Sequence, residues 1–325
     1  MPALAVRFRD RLPVSDSTPL VSLGEGGTPL VHAPRLSEEL GLDLWFKVEG
    51  ANPTGSFKDR GMAIAVARAL ESGARTVVCA STGNTAASAA AYAARAGLRA
   101  VVLVPAAGVA APKLFQAVTA GARLLEIRGS FDEALDAAQE LAGDDEFVLV
   151  NSLNPDRIDG QKRVVGELVE QLGAVPDLVA LPFGGGGNVT AVAAGLEEAG
   201  LDVRIVVGQA AERPTTWASA IRIAEPAHAK HVASLVAARR VEVVTLSEDE
   251  LRRAWHRLAQ EEGAFCEPAS AAGFAALTQL GPGRGETAVC ILTGHGLKDT
   301  DAVEGLREDR PVVAANLDAV LEAIG

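Results

Sequence analysis

A lysine set just after a Pro/Gly turn and just before an apolar helical run is the best-placed reactive group in this chain. It is Lys58, in the stretch N-P-T-G-S-F-K-D-R-G (Asn52–Gly61), with Met62, Ile64, Val66 and Leu70 following. Packing of the stem desolvates the amine, lowers its pKa and leaves it nucleophilic, as a Schiff-base former must be. Beside Asp59 and Arg60 the same lysine also reads as a solvated surface charge. The residues further along the chain weigh on that choice.

Four short polar loops follow apolar strand-like runs: Ser81–Thr85, Asn151–Arg157, Gly184–Asn188 and Thr293–Gly296. Gly184, Gly185, Gly186 and Gly187 let successive N–H groups turn inward around an anion, and the helix that opens at Asn188 adds its positive end. That is a phosphate cradle without the Lys of a Walker loop; its alternative is a flexible turn. Ser81-Thr82-Gly83-Asn84-Thr85 offers backbone N–H groups to a carboxylate and the Asn84 amide to a ligand oxygen, or else Asn84 or Thr85 caps the next helix. Arg157, beside Asn151 and Ser152, suits a second anion held by forked hydrogen bonds, or is a surface arginine next to an Asx turn. His295 lies between glycines and reads as a loop donor. His228 and His231 are three apart without a third ligand, so no metal site is expected.

The elements that must position these groups alternate along the chain. Strand-like runs are Thr76–Ala80, Ala100–Val104, Arg123–Ile127, Phe147–Asn151, Asp177–Leu181, Arg204–Gly208, Val241–Leu246 and Ala288–Thr293. Helical patterns are Thr85–Ala96, Pro112–Ala120, Phe131–Leu141, Arg157–Leu172, Val189–Ala199 and Glu248–Glu262. The strands are continuous apolar runs, as parallel strands covered on both faces should be. An open α/β architecture follows, with ligands at the loops after the carboxyl ends of strands.

The 325 residues suffice for two ordinary domains. Aromatics are only 4%, so the core is built from Ala, Val and Leu. A net charge of −12 argues against a nucleic-acid or anionic-membrane surface. Cys79, Cys266 and Cys290 are scattered in apolar runs, which fits a reducing compartment. The charged N-terminus is no secretory leader, and Ala86–Pro112 is broken by Arg95, Arg99 and Pro105, so no membrane span is expected. A cytoplasmic protein is the reading.

With these motifs in this order, from about Gly24 to Asp299, the chain resembles the fold-type II pyridoxal-phosphate enzymes and, among them, the threonine synthases. The resemblance implies two open α/β domains with mostly parallel twisted sheets and the active site in the cleft between them. A large domain would comprise 1–50 plus 156–325, and a small mobile domain 51–155. It implies pyridoxal 5'-phosphate bound through Lys58, with Asn84 at its 3-hydroxyl oxygen. Gly184, Gly185, Gly186, Gly187 and Asn188 would hold its phosphate, and Thr293 its ring nitrogen. V-N-S-x-N-P-x-R-x-x-G-Q-K maps a substrate phosphate to Asn151, Ser152 and Arg157, with Ser81, Thr82, Asn84 and Thr85 completing the substrate side.

The implied activity is a carbon–oxygen lyase of threonine biosynthesis: γ-elimination of phosphate from O-phospho-L-homoserine and addition of water to give L-threonine. A threonine or serine dehydratase, or a synthase for another phosphorylated amino acid, is the alternative. A homodimer is the family's common state. The chain has G-G-G-G-N where many threonine synthases have G-N-A-G-N, and A-A-E-R-P-T-T-W (Ala210–Trp217) departs from their pattern.

Overall fold

The computed structural model describes residues 3–106, 111–281, 283–302 and 312–324. Within them the strands form two sheets. The larger sheet contains β1 (Leu30–His32), β2 (Asp43–Val48), β7 (Leu178–Pro182), β8 (Arg204–Ala210), β9 (Val241–Leu246) and β10 (Thr287–Leu292), in the order β1-β2-β10-β7-β8-β9. The smaller contains β3 (Thr76–Ala80), β4 (Arg99–Pro105), β5 (Arg123–Ile127) and β6 (Phe147–Leu149), in the order β5-β4-β3-β6. All neighbours are parallel except β1 against β2. The antiparallel β1 edge is an element that the apolar-run pattern does not pick out, because it is only three residues long with two of them exposed.

The helices follow from capping and apolar periodicity. They are α1 (Leu4–Arg7), α2 (Pro34–Leu40), α3 (Lys58–Glu71), α4 (Asn84–Ala96), α5 (Ala111–Thr119), α6 (Phe131–Leu141), α7 (Pro155–Leu172), α8 (Gly187–Glu198), α9 (Ala229–Ala237), α10 (Glu248–Glu262), α11 (Ala271–Leu280) and α12 (Leu317–Ile324). Ser130 and Ser247 close reciprocal capping boxes with Glu133 and Glu250, which start α6 and α10. Gly97, Gly173 and Gly263 end α4, α7 and α10 in the left-handed conformation.

Each sheet is covered on both faces. On the smaller sheet, α3, α4 and α5 pack on one side around Met62, Val66 and Tyr92, and Ala134 and Ala138 of α6 pack on the other. On the larger, α10 and α11 bury Leu251, Trp255 and Phe274, while α7 and α8 bury Leu168 and Val192 on the opposite face. The edges depart from continuous burial: β9 alternates and β5 is largely open. Strand pairing on one side only is the reason.

Strand order sets where the loops go. In the smaller sheet the chain moves from β3 outward to β4 and β5, then returns to the far side of β3 as β6. In the larger it moves from β7 to β8 and β9, then returns beside β7 as β10. At each reversal the two loops beyond the strand ends diverge and open a crevice. The loops at these two reversals are Ser81–Gly83 with Val150–Asn154, and Phe183–Gly186 with Thr293–His295.

Candidate active site

The Lys58 loop is fastened to the loop after β10. Ser56 pairs with Gly294 in an antiparallel bridge, Phe57 N–H donates to Thr293 O at 3.0 Å, and His295 N–H donates to Gly55 O at 2.9 Å. Asp59, fully buried, accepts Thr54 N–H, Thr54 Oγ1 and Ser88 Oγ, each at 2.6 Å, so the turn before α3 has one geometry. Arg60 is buried as well and joins Glu49 and Glu167, with Nη2 at 2.7 Å from both. Lys47 reaches the same Glu167 at 3.3 Å from inside β2. The sequence assigns no partner to Asp59 or Arg60, because those partners lie mostly on other elements. Lys47 in the middle of an apolar strand was the one local sign of a buried ion network.

Lys58 is half-buried, with Nζ 3.8 Å from the centre of the Phe57 ring. Burial first, and the Arg157 charge second, bring its pKa down to about 7, with Glu267 opposing the shift. Its amine is therefore a poised nucleophile rather than a solvated ammonium.

Glu267 is 3% exposed, and burial raises its pKa, with Asn84 and Lys58 pulling the other way. Neither Asn84 nor Thr85 caps α4: the Asn84 amide instead donates to both Glu267 oxygens, at 3.1 and 3.0 Å. The Ser81 hydroxyl accepts Gly83 N–H and Ala86 N–H, both at 3.2 Å, and shapes the loop itself. Thr293 is buried, its hydroxyl 3.0 Å from that of Ser270, which also accepts Gly294 N–H at 3.0 Å. His295 Nδ1 accepts Leu297 N–H at 3.2 Å in a short turn.

Asn151 shows why β6 stops two residues before the expected Asn151. Val150 N–H still donates to Val78 O, but Ala80 is paired by the Asn151 side chain, Oδ1 from Ala80 N–H at 2.9 Å and Nδ2 to Ala80 O at 2.8 Å. The side chain thus holds the end of β3. Arg157, in the first turn of α7, is 1% exposed and donates from Nη1 to Val150 O at 2.9 Å. Its Nε and Nη2 are buried without a partner. Burial lowers its pKa to about 10, against weak help from Cys79 and Asp59. A buried guanidinium without a carboxylate is costly unless an anion completes it.

The glycine loop supplies the second anion-shaped surface. The N–H groups of Gly184, Gly185, Gly186 and Gly187 donate to no backbone carbonyl among the described residues. Gly186 has φ +87, and a methyl there would lie 2.9 Å from His228 Cβ. A methyl on Gly187 would lie 3.3 Å from Ser152 Cβ, so the cradle and the Ser152 loop touch. Asn188, at the entry to α8, is 8% exposed with Nδ2 unpartnered. These contacts link the Lys58 loop through Thr293 and Glu267 to Asn84, and Asn151 and Ser152 to the glycines. An orphaned cation, an orphaned amide and a row of unused N–H groups fit a group carrying phosphate, and Lys58 fits its aldehyde. Thr82 and Thr85 lie on the same rim, half-buried.

The family model described as pyridoxal-phosphate dependent enzyme matches residues 21–294. This chain belongs to that family. It is 45% identical over 333 residues to the threonine synthase of Halalkalibacterium halodurans, covering 96% of this chain and 94% of that one. To the threonine synthase of Mycobacterium leprae it is 45% identical over 347 residues, covering 100% and 96%. The solved threonine deaminase isoform 2 from Solanum lycopersicum superposes with a TM-score of 0.71 at 23% identity, covering 86% of this chain and 84% of that one. That likeness shows the shared fold: two open, mostly parallel α/β sheets. A pyridoxal-phosphate enzyme accounts for both the reactive lysine and the anion-shaped cradle.

Sequence reasoning left Asp59, Arg60 and Ser270 out of the site and set His228 aside. Asp59 and Arg60 directly follow the lysine, and Ser270 lies three residues after Glu267 in E-P-A-S; adjacency was the available signal. Among the described residues no cluster of three or more His, Cys, Asp or Glu side chains could hold a metal, and no helix is long and apolar enough to cross a membrane.

Proposed function

We propose that this chain converts O-phospho-L-homoserine and water into L-threonine and phosphate. The observation that carries the reading is Arg157: a guanidinium 1% exposed, in ion-pair contact with no described carboxylate, with two nitrogens unpartnered. A dehydratase acting on threonine or serine has no phosphate to seat there.

In this reading Lys58 would hold pyridoxal phosphate covalently, and Asn84 and Thr293 would border its ring. The N–H groups of Gly184–Gly187 hold its phosphate, with the Asn188 amide beside them. When bound, the cofactor supplies an electron sink for charge developing at the substrate's α-carbon. Lys58 Nζ, whose pKa as a free amine lies at about 7, would take and return that α-proton near neutral pH once the substrate's amino group has displaced it from the cofactor. Arg157 and Ser152 bind the substrate phosphate and orient it as the leaving group, while the Ser81–Thr85 loop holds the carboxylate with N–H groups. Asn151 keeps the two loops in register through Ala80. Glu267, held by Asn84, keeps an acidic group beside Lys58 and opposes the effect of Arg157 on the Lys58 pKa. Thr293, already bonded to Ser270, is a neutral partner for a ring nitrogen and does not hold it protonated as a carboxylate does.

Residues 51–155 are read as a small mobile domain and 1–50 plus 156–325 as a large one; 107–110 and 303–311 lie outside the described residues. The free, buried thiols of Cys79, Cys266 and Cys290 suit a reducing compartment such as the cytoplasm; the homodimer common in the family is the assembly that sedimentation checks.

The deciding experiment supplies purified, cofactor-loaded protein with O-phospho-L-homoserine and measures phosphate and amino acid together. Equal release of phosphate and threonine is expected. A larger kcat/KM for forming 2-oxobutanoate from threonine would replace this reading with the dehydratase.

A further inference from the structure

We infer that His228 is a positioning residue that couples the two anion-binding loops. The inference rests on the proposed substrate-phosphate site at Ser152 and Arg157. His228 precedes α9, where a side chain ordinarily turns back to cap the helix, yet it makes no cap bond. Its ring reaches out instead, placing Nε2 2.9 Å from Ser152 O. The carbonyl can only accept, so Nε2 carries the proton and donates. The His228 main chain meanwhile donates its N–H to Gly185 O at 3.1 Å. One residue thus holds the cofactor side through its backbone and the substrate side through its ring.

The surroundings leave little slack. A methyl on Gly186 would meet His228 Cβ at 2.9 Å and Val232 Cγ2 at 3.3 Å, so the first turn of α9 is packed against the cradle. Gly187 is close to Ser152 Cβ and His228 Nε2 alike, with a methyl there at 3.3 and 3.7 Å. Ser152 sits between Asn151, which is tied to Ala80, and Arg157, which donates to Val150 O. Pinning the Ser152 carbonyl therefore fixes the Ser152–Leu153 peptide plane, and with it the direction of the Leu153 N–H and the turn from which the Ser152 hydroxyl faces the Arg157 guanidinium. With the ring gone, the Ser152–Leu153 peptide is free to rotate and the phosphate loses aligned donors.

The test uses cofactor-loaded protein, so that the glycine cradle is filled, and titrates it with inorganic phosphate by calorimetry in phosphate-free buffer. His228→Ala is expected to weaken phosphate binding about tenfold, the effect of one aligned hydrogen-bonding group. His228→Gln, whose amide can donate from nearly the same place, is expected to recover most of the loss, which a packing role would not allow. Cofactor absorbance and melting temperature, read on both variants, establish that the fold and loading persist. Equal phosphate affinity in wild type and His228→Ala would overturn the inference while leaving the proposed reaction standing. An Arg157→Ala variant that still bound phosphate as wild type does would overturn the site reading, and the inference with it.

Discussion

Gly61 and Gly160 meet where α3 crosses α7, and nothing but backbone lies between them. A methyl on Gly160 would stand 2.8 Å from Gly61 Cα, and one on Gly61 would stand 2.9 Å from Arg157 Cα. Gly61 lies three residues after Lys58, and Gly160 three after Arg157. Lys58 is therefore about one helical turn from the crossing, and the Arg157 backbone lies within it. Backbone contact between the two helices sets the distance between the lysine and the arginine.

Gly160→Ala is expected to destabilise the protein by about 1–3 kcal/mol through overpacking, although alanine favours an isolated helix. The same change should raise KM for O-phospho-L-homoserine, because α7 must shift and carry Arg157 with it. Urea unfolding and steady-state kinetics on one variant check both effects. A stability gain would show that the helices separate without cost.

Arg157→Ala should raise KM for O-phospho-L-homoserine by about two orders of magnitude, the loss of a forked charge-assisted pair. The visible absorbance of the cofactor should remain. Arg157→Lys keeps the charge without the fork and should fall between. Unchanged kinetics in the alanine variant would remove this residue from the substrate site.

Borohydride treatment of the cofactor-loaded protein should leave a pyridoxyl group on the peptide carrying Lys58. Lys47 and Lys298 also have lowered pKa values through burial, but Lys47 is locked between Thr28 O and Glu167, and Lys298 donates to Thr54 O at 2.9 Å. Peptide mass analysis separates the three. A tag on either of the other two would displace Lys58 from its role.

Cofactor-free protein should become more stable as pH rises from about 7 to 10.5, the interval between the folded and ordinary pKa of Lys58. In that interval the unfolded chain binds more protons than the folded one, so the slope of stability against pH from this group is positive. Lys58→Met should remove the contribution. The difference in urea midpoint between wild type and variant, followed across the interval, isolates it from other titrating groups. A difference that stays constant with pH would mean the amine is ordinary.

Much of this architecture could be read from residue patterns. The runs β3, β5 and β9 were expected with the bounds they have, and each loop at a strand reversal was visible as a polar break in an apolar pattern. Edge strand β1 escaped because three residues carry too little pattern. Helix α11 is buried almost all round and shows no polar face to give it a period. The buried network of Arg60, Glu49, Glu167 and Lys47 was illegible because its members come from β2, the turn after it, α3 and α7. The Gly61–Gly160 contact was hidden for the same reason. Local propensity speaks about one segment at a time, and these features belong to pairs of segments.

The two sheets bring different loops to the same crevice. Those of the larger sheet carry Gly184–Gly187 and Thr293, and those of the smaller carry Ser81, Asn84, Ser152 and Arg157. Under the proposed function, the coenzyme's phosphate and ring nitrogen rest on loops of the larger sheet, and the amino acid's carboxylate on a loop of the smaller. Inheritance can then modify the two in part separately. A lineage could exchange its leaving group by rewriting the seven positions 151–157 while Lys58, the glycine loop and Thr293 are passed on intact.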